Sequence, residues 1–421
     1  MLFLHLYRFV SLLASPFLRG YLSWRAGQGK EEAHRLRERL GNPSSVRKAG
    51  KLIWLHGVSV GESLSLLSFI HHLARVYPQV HILLTTGTVA AAHVIQGKLP
   101  KNATHNYMPL DVYSWMERFL NHWKPDVIVI TESEIWPNLL QLCKKRNLPV
   151  YLINARLTER SFKKWQCIPK LSQKVFGIFT KILAQSEEVA RRLRFFAPCS
   201  VDIMPNLKFA ARPLPYHQED FDAIHACMGN RPSFVAASTH QGEEKIILGA
   251  FKKILMVHPR ALLFLVPRHP KRGSDIADLL DKASMRYARR SKKELPSDFQ
   301  SIYLVDTLGE LGLVYALSPL VLMCGSLIPG IGGHNPIEPA QMGCCVLWGP
   351  YMKNAEDICA VMAPQSLEIT PENMAETVIH LLDHPEFVKE KGQLLYECVS
   401  SQKDSLKELV RMCEPHLGPS L

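Results

Sequence analysis

The sequence predicts an α/β protein with two successive doubly wound domains, each built on a parallel β-sheet. From residue 51 onward, short apolar runs alternate with longer stretches that have helical spacing. Strands that alternate with helices of this length form parallel sheets covered on both faces. The pattern breaks at 210–217, a segment with two prolines, and then starts again. We expect two such domains to hold ligands in a cleft between the carboxyl ends of their strands.

The predicted domain boundaries follow from this break. We expect residues 1–25 to form a membrane anchor, residues 40–210 the first domain, and residues 218–421 a second domain that ends in helices. Strands of the first domain are expected at 52–55, 80–85, 126–130, 149–153 and 178–184. Strands of the second domain are expected at 233–238, 261–267, 301–305, 320–326 and 344–349.

Composition and charge narrow the class of protein. The chain has 421 residues, of which 47% are hydrophobic and 21% charged, so it can build two or three cores. Its ten cysteines show neither CxxC spacing nor a disulfide framework, which favours a reducing compartment. Residues 1–212 carry 30 lysines and arginines against 13 acidic residues, whereas 213–421 carry 20 against 25. The basic first half points to an anionic partner, which could be a membrane surface, an acidic substrate or nucleic acid. No nucleic-acid-binding motif accompanies the charge, which disfavours nucleic acid.

The most hydrophobic stretch lies at the N-terminus, in residues 1–18. It is shorter than the roughly 20 apolar residues that span a bilayer, and it contains Arg8 and Pro16. No small-x-small cleavage site follows it, which argues against a signal peptide. We expect a monotopic or marginally spanning anchor, with the positive charge that follows it on the cytoplasmic side. The alternative is a core helix that packs on the protein.

The segment 54–62, WLHGVSVGE, is typical of a strand, a glycine-containing turn and a helix start. In an open α/β sheet this is where ligands bind. Glu62 lies close to the helix N-terminal amides, which favour an ionised carboxylate. We interpret Glu62 as a candidate general base, and the alternative is that it only caps the helix.

Polar residues also follow the other predicted strands of the first half. TESEIWPN, 131–138, places Glu132 and Glu134 at a strand end, where at least one carboxylate is expected to be functional and helix capping is the alternative. INARLTERS, 153–161, supplies hydrogen-bond donors for an anionic or hydroxyl-rich acceptor. Lys208, in PNLKF just before the predicted linker, could meet a phosphate or a developing negative charge.

Four strand ends of the second half carry polar or glycine-rich segments. They are STHQGEE at 238–244, VPRHP at 266–270, DTLGEL at 306–311 and GIGGHNPIEPA at 330–340. The first predicts a phosphate- or sugar-binding turn before a capped helix, and Arg268 and His269 suit a phosphate. Glycines in the last segment let a ligand approach the backbone, and Glu338 could bind a ribose diol. No cluster has metal-ligand spacing, so we predict metal-independent chemistry without a cofactor.

Taken together, HGVSVGES, TESEIWPN, INARLTERS, AQSEE, NLKF, STHQGEE, PRHP, DTLGEL and GGHNPIEPA resemble the 3-deoxy-D-manno-octulosonic acid (Kdo) transferases of lipopolysaccharide synthesis. The match runs in order from the N-terminal segment to about residue 355. The resemblance implies a GT-B fold, an N-terminal anchor on the cytoplasmic face of the inner membrane, and CMP-Kdo as donor. It further implies a tetraacylated disaccharide bisphosphate lipid A precursor, lipid IVA, as acceptor.

The resemblance also implies roles for individual residues. Glu62 would be the catalytic base of an inverting transfer, with Glu132 and Lys208 as supporting polar groups. The implied CMP site consists of Arg268, His269, Gly309, Glu310, Leu311, Asn335, Pro336, Ile337 and Glu338. The partners would be CMP-Kdo, the lipid A precursor and the anionic surface of the inner membrane.

Two other functions are weighed against this one. Another glycosyltransferase or a nucleotide-sugar epimerase would share the loops of the second half but not the WLHGVSVGE and TESEIWPN segments. A non-enzymatic protein that binds anionic lipids would explain the basic half and the anchor, and would leave the carboxylates without a purpose.

Overall fold

The computed structural model describes residues 2–211, 213–402 and 405–418. Met1, Arg212, 403–404 and 419–421, which belong to the predicted anchor, linker and C-terminal domain, lie outside the described residues. The chain divides into two compact units. Unit 1 contains the described residues up to Ala211 together with the last helix, and unit 2 contains the described residues from 213 to Gln402.

Unit 1 is built on a seven-stranded sheet in which each neighbouring pair of strands is parallel. Its strands are β1 (Leu52–His56), β2 (His81–Thr86), β3 (Ala103–Tyr107), β4 (Val127–Thr131), β5 (Val150–Ala155), β6 (Lys181–Ala184) and β7 (Ser200–Ile203). Their spatial order is β3-β2-β1-β4-β5-β6-β7. The chain therefore winds outward from β1 in both directions, which places a topological switch point between β1 and β4.

Helices cover this sheet. They are α1 (Leu2–Gly27), α2 (Leu36–Arg39), α3 (Val60–Val76), α4 (Val89–Ile95), α5 (Tyr113–Trp123), α6 (Pro137–Lys145), α7 (Glu159–Gln166), α8 (Pro169–Phe176) and α9 (Glu187–Arg194). Two short 3-10 helices lie at Ala33–Arg35 and Leu207–Ala210. The central strands β1 and β4 are buried along their whole length, as expected for a parallel sheet with helices on both faces.

Unit 2 repeats the architecture with a second seven-stranded parallel sheet. Its strands are β8 (Ser233–Thr239), β9 (Leu262–Pro267), β10 (Tyr287–Arg289), β11 (Ile302–Leu304), β12 (Leu320–Met323), β13 (Cys345–Trp348) and β14 (Leu367–Glu368), in the order β10-β11-β9-β8-β12-β13-β14. Its helices are α10 (Gln218–Met228), α11 (Glu243–Val257), α12 (Gly273–Lys282), α13 (Leu311–Leu317), α14 (Ile337–Gln341), α15 (Glu356–Met362), α16 (Met374–Asp383) and α17 (Pro385–Ser401). The predicted fold class of two doubly wound sheets is confirmed.

The last described helix, α18 (Ser405–Leu417), differs from the predicted domain plan. The sequence placed it in the second domain, 218–421, whereas it packs in the core of unit 1. Leu409, Cys413 and Leu417 are buried there, and Tyr151 shares a 2.8 Å hydrogen bond with His416. The sequence of an amphipathic helix shows which of its faces is apolar, but not which sheet that face will cover. The assignment of α18 to the second domain, which followed the order of the chain, was therefore wrong.

Helix α1 is held to unit 1 by one of its faces. The Tyr7 hydroxyl donates to Asp111 at 3.2 Å, the Asn138 side-chain amide donates to Ser11 at 3.1 Å, and the guanidinium of Arg8 lies 3.5 Å from the ring centre of Tyr113. Arg8, which would be costly in a lipid-embedded helix, therefore stacks on the protein.

The other face of α1 is apolar and exposed. Its exposed side chains include Phe3, Leu6, Phe9, Val10, Leu13, Phe17, Tyr21 and Trp24. Phe17 retains 79% of its accessible surface. Among the described residues, no helix combines the length and the apolar character that crossing a membrane requires.

Candidate active site

Glu62 lies in the first turn of α3, directly beyond the carboxyl end of β1. The Ser59 hydroxyl accepts a hydrogen bond from the Glu62 backbone N–H at 3.3 Å, and the Ser59 backbone N–H donates to Oε1 of Glu62 at 3.1 Å. This reciprocal arrangement is a capping box. The helix-capping alternative for Glu62 is therefore present in the structure, and any catalytic role has to coexist with it.

Both carboxylate oxygens of Glu62 are occupied by hydrogen-bond donors. Oε1 accepts from the Ser59 hydroxyl at 2.6 Å as well as from the Ser59 N–H, and Oε2 accepts from the Val58 N–H at 3.0 Å and the Thr131 hydroxyl at 2.9 Å. The side chain is nearly buried, with 9% of its surface accessible. Four donors in a site with little water fix the orientation of the carboxylate.

His56, the last residue of β1, is completely buried behind this turn. Its Nδ1 lies 2.8 Å from the Thr85 hydroxyl, and its Nε2 has no hydrogen-bond partner among the described atoms. Burial lowers the pKa of His56 to about 4, although the nearby Glu62 carboxylate opposes the shift. The imidazole is therefore neutral at pH 7 and adds no positive charge beside Glu62.

Glu132 and Glu134 lie in the loop that follows β4, which is the neighbour of β1 in the sheet. Glu132 has a φ of 58°, a left-handed backbone conformation that is strained for a residue other than glycine. Burial raises the pKa of Glu134 to about 7, and the charges of Glu62 and Glu132 add to the shift. The structure thus gathers three carboxylates at this switch point, and one of them holds its proton near neutral pH.

Lys208 lies in the 3-10 helix Leu207–Ala210. Side chains from the predicted motifs PNLKF and INARLTERS accept hydrogen bonds from the backbone of this helix. The Asn206 side chain accepts from the Lys208 N–H at 3.0 Å, and Asn154 accepts from the Leu207 N–H at 3.4 Å. Asn154 is buried, and its side-chain oxygen supports this segment. The Lys208 side chain itself remains partly exposed.

Two strand ends share an unusual backbone feature. Asn154 and Ser238 are the next-to-last residues of β5 and β8, and their φ angles are 51° and 61°. The strand register shifts at both places. Irregularities of this kind re-aim side chains and concentrate near functional sites. Neither could be recognised from residue type alone.

Unit 2 collects cationic and imidazole side chains at the carboxyl edge of its sheet. The Nε2 atoms of His240 and His334 are 2.8 Å apart with their rings stacked, and the His269 ring lies 6.0 Å from that of His240. Burial, and after it the neighbouring His240, Arg268 and His269, lowers the pKa of His334 to about 4. Three predicted motifs thus meet here, and the side chains of Arg268 and His269 are exposed.

Glu243 is a residue of this edge whose role the sequence analysis missed. Its carboxylate is fully buried and accepts three backbone hydrogen bonds, from His240 at 2.9 Å, Gly325 at 2.8 Å and Leu327 at 3.0 Å. It therefore ties the turn after β8 to the loop after β12. Helical spacing could have revealed that Glu243 is buried, because it lies on the same face of α11 as the core residues Ile247 and Phe251.

The segment from Asn335 to Glu338 turns into α14. The Asn335 side chain accepts from the Ile337 N–H at 3.3 Å and donates to Glu338 at 3.1 Å. Pro336 and Ile337 are buried, Ile337 completely, so their side chains serve the core. Of the four predicted CMP-site residues here, Asn335 and Glu338 are the two with accessible polar side chains.

The predicted loop Gly309–Leu311 lies beyond β11, two strands away from β8. Its backbone turns through Gly309 at a φ of 86°. The Glu310 carboxylate accepts two hydrogen bonds from Arg290, at 2.9 and 2.7 Å, and another from Thr307. The Glu310 side chain is therefore held by Arg290 and Thr307.

A cavity of about 780 Å³ lies against the glycine-containing segment that follows β12. It is lined by 330–332, by 348–354 and by Glu356, Cys359 and Glu368. Asn354 closes its rim, because its N–H donates to the Gly332 carbonyl at 2.7 Å and its side chain donates to the Ile331 carbonyl at 2.9 Å. No function is predicted from the sequence for residues 348–359. Within the described ranges, no group of three or more His, Cys, Asp and Glu side chains is arranged to hold a metal ion.

Comparison with solved structures identifies the fold. A UDP-GlcNAc 2-epimerase from Neisseria meningitidis is similar with a TM-score of 0.59 at 15% sequence identity, covering 86% of this chain and 98% of the epimerase. A glycosyltransferase from Rickettsia africae has a TM-score of 0.59 at 12% identity, covering 88% of this chain and 99% of that protein. These likenesses show the fold alone, which is the GT-B architecture that the resemblance implied.

Comparison with protein families is more specific. Residues 34–211 match the family model described as 3-deoxy-D-manno-octulosonic-acid transferase (kdotransferase). The chain is 35% identical over 413 residues to a probable 3-deoxy-D-manno-octulosonic acid transferase, mitochondrial, from Arabidopsis thaliana, covering 94% of this chain and 92% of the relative. It is 30% identical over 421 residues to the 3-deoxy-D-manno-octulosonic acid transferase of Haemophilus influenzae, covering 98% of both. The chain therefore belongs to the Kdo transferase family, the glycosyltransferases that act in lipopolysaccharide biosynthesis.

Proposed function

We propose that this enzyme transfers Kdo from CMP-Kdo to a hydroxyl of the lipid A precursor lipid IVA, with inversion at the anomeric carbon and Glu62 as general base. The observation that carries the proposal is the position of Glu62. A nearly buried carboxylate lies at the switch point of a doubly wound sheet, oriented by four donors. Family membership supports the transfer of Kdo, and the identity of the acceptor rests on the motif resemblance.

The reaction needs a proton acceptor on one side and stabilisation of a leaving phosphate on the other. Glu62 takes the proton of the acceptor hydroxyl as its oxygen attacks the anomeric carbon, and CMP leaves from the opposite face. Glu132 and Lys208 act as supporting polar groups near the reacting atoms. Lys208 offers a positive charge to the phosphates of the acceptor or to the developing charge.

The donor phosphate is held by unit 2 in this proposal. Arg268 and His269 are exposed beside His240 and His334, so an anion there meets several cationic or N–H donor groups. The ribose diol is assigned to Glu338. The backbone at Gly309–Leu311 completes the CMP site. Because side chains supply the positive charge, we expect no metal or other cofactor, and EDTA should leave the rate unchanged.

Attachment to the cytoplasmic face of the inner membrane is also proposed. It is supported by the exposed apolar face of α1 and by the excess of basic residues in the first half of the chain. Apolar side chains on one face of a helix insert into the boundary between headgroups and acyl chains, and basic residues add attraction to anionic lipids. The acceptor is itself an amphipathic lipid, so attachment would place enzyme and acceptor at the same surface.

The test is to incubate the purified protein with CMP-Kdo and lipid IVA and to identify the product by mass spectrometry and by the configuration of the new glycosidic bond. We expect CMP and a lipid that carries Kdo of inverted anomeric configuration. A product with retained configuration would contradict the mechanism. Release of Kdo into water without a glycosylated lipid would contradict the proposed acceptor.

A further inference from the structure

The hydrogen bonds of Glu62 conflict with its action as a base unless one of them can be released. A carboxylate offers about four lone-pair positions. Two backbone N–H groups, of Val58 and Ser59, and two hydroxyls, of Ser59 and Thr131, occupy them. The backbone amides are fixed by the turn, whereas a hydroxyl can rotate about its C–O bond. One of the two hydroxyls must therefore turn away before Glu62 can bind a proton.

Of these two hydroxyls, the one of Thr131 has a second hydrogen-bond acceptor within reach. Its Oγ1 lies 2.9 Å from Oε2 of Glu62 and 3.0 Å from the backbone carbonyl oxygen of His56. A hydroxyl carries a single proton, so it can donate to one of these acceptors at a time. The Ser59 hydroxyl differs, because both of its described hydrogen bonds are with Glu62, at 2.6 Å to Oε1 and 3.3 Å from the N–H.

We propose that Thr131 is a positioning residue whose hydroxyl hydrogen-bonds to Glu62 in both protonation states of that side chain, an inference that rests on the proposed function. When Glu62 is ionised, Thr131 donates to Oε2. When Glu62 is protonated, Thr131 donates to the His56 carbonyl and its oxygen accepts the new proton of Oε2 as a hydrogen bond. Thr131 and Glu62 are therefore hydrogen-bonded to each other in both states, and the His56 carbonyl accepts the Thr131 proton only when Glu62 is protonated.

The proton is accounted for at each stage of the transfer. The acceptor hydroxyl loses its O–H bond as its oxygen forms the bond to the anomeric carbon, and the proton binds to Oε2 of Glu62. The bond from the anomeric carbon to the donor phosphate breaks, and CMP leaves with the electron pair. Thr131 exchanges one hydrogen-bond acceptor for another and forms no covalent bond.

The sheet itself fixes the geometry of this exchange. Thr131 and His56 are the last residues of β4 and β1, which pair side by side. The Thr131 side chain is buried, with 2% of its surface accessible, so water does not readily replace a lost partner. A hydrogen bond to a charged group is worth most in such a place, and its loss costs correspondingly more.

The experiment compares two substitutions at the same position. Thr131→Val keeps the shape of the side chain and removes the hydroxyl, and we expect it to lower kcat by about 10- to 100-fold with little change in the KM for either substrate. Thr131→Ser keeps the hydroxyl and should stay within a few-fold of the wild type. Urea unfolding and CMP binding establish that each variant is folded. If the valine variant does not fold, Thr131→Ala takes its place in the comparison.

Two results would overturn the inference about Thr131. One is a kcat for Thr131→Val within two-fold of wild type, and the other is a serine variant as impaired as the valine variant. Ser59→Ala, which removes the other hydroxyl, is the matched control and should lower kcat less than Thr131→Val. Glu62→Gln is measured in the same series. An active Glu62→Gln would refute the proposed function, whereas an inactive one beside a fully active Thr131→Val would refute this inference alone.

Discussion

Glu62 and Glu243 occupy corresponding places in the two units and have different surroundings. Each lies in the first turn of the helix that follows the first strand of its sheet, α3 after β1 and α11 after β8. Glu243 is completely buried and accepts hydrogen bonds from three backbone N–H groups. Glu62 keeps 9% of its surface accessible and accepts from two backbone N–H groups and two hydroxyls.

The two carboxylates therefore have different partners at corresponding places in the fold, and the proposed function gives them different roles. Fixed donors on every side make Glu243 a permanent tie between two loops. Two of the donors to Glu62 are hydroxyls that can rotate, and part of its surface reaches solvent. We therefore expect the partners of each carboxylate, more than its position in the fold, to decide its role.

The largest expected effect comes from Glu62→Gln. Removal of a general base typically costs about 10²- to 10⁴-fold in rate, and we expect kcat to fall by that amount. The rate of Kdo transfer to the lipid acceptor measures it, with circular dichroism to verify the fold. A variant with a kcat within a few-fold of wild type would show that Glu62 is a cap and not a base.

Glu243→Gln should mainly lower stability. Its amide group would face backbone N–H donors, which leaves at least one of them unpaired at a cost of about 1.5–3 kcal/mol. Urea unfolding of the full chain measures this loss. We expect kcat to fall much less than in Glu62→Gln, and a variant that is as stable as wild type but inactive would reverse the roles assigned to the two glutamates.

Ser59→Ala separates capping from catalysis at Glu62. It removes the side chain of the capping box and should cost about 1 kcal/mol of stability, in the range measured for N-cap residues. Because the Glu62 carboxylate remains, the transfer rate should stay at least ten-fold above that of Glu62→Gln. If the two variants lost activity equally, the capping box alone would explain the importance of Glu62.

Glu134 should make the stability of the fold depend on pH. Its pKa is raised from 4.5 to about 7 in the folded chain, so the native state binds this proton more tightly than the unfolded state does. The contribution of Glu134 is therefore fully present below pH 4.5 and is lost as the pH rises through about 7. Glu134→Gln should gain stability relative to wild type between pH 5 and pH 8, as measured by urea midpoints. An unchanged difference between those two pH values would contradict the raised pKa.

The sequence predicted the inner strands of both sheets and missed the outer ones. All ten predicted strands are present, whereas β3, β7, β10 and β14 were not predicted, and these are the four edges of the two sheets. Inner parallel strands are buried on both faces and therefore appear as continuous apolar runs. Edge strands such as ATHNY in β3 and YAR in β10 contain polar residues, so hydrophobicity does not reveal them.

Candidate site residues could be predicted where their motifs lie at strand ends. They could not be predicted where their role depends on contacts with other segments of the chain. The positions of Glu62, Glu132 and Arg268 at carboxyl strand ends follow from the alternation of strands and helices. The pairing of Glu310 with Arg290 and the burial of Ile337 do not, because they depend on contacts between segments far apart in the chain.

Titration calorimetry of CMP with Glu62→Gln and Glu243→Gln distinguishes a catalytic from a structural glutamate. We expect Glu62→Gln to bind CMP with a Kd within about two-fold of wild type although it has lost transfer. Glu243→Gln should bind CMP more weakly, because its carboxylate holds the loops around the donor site. Weakened CMP binding by Glu62→Gln together with unchanged binding by Glu243→Gln would contradict the division between a catalytic and a structural glutamate.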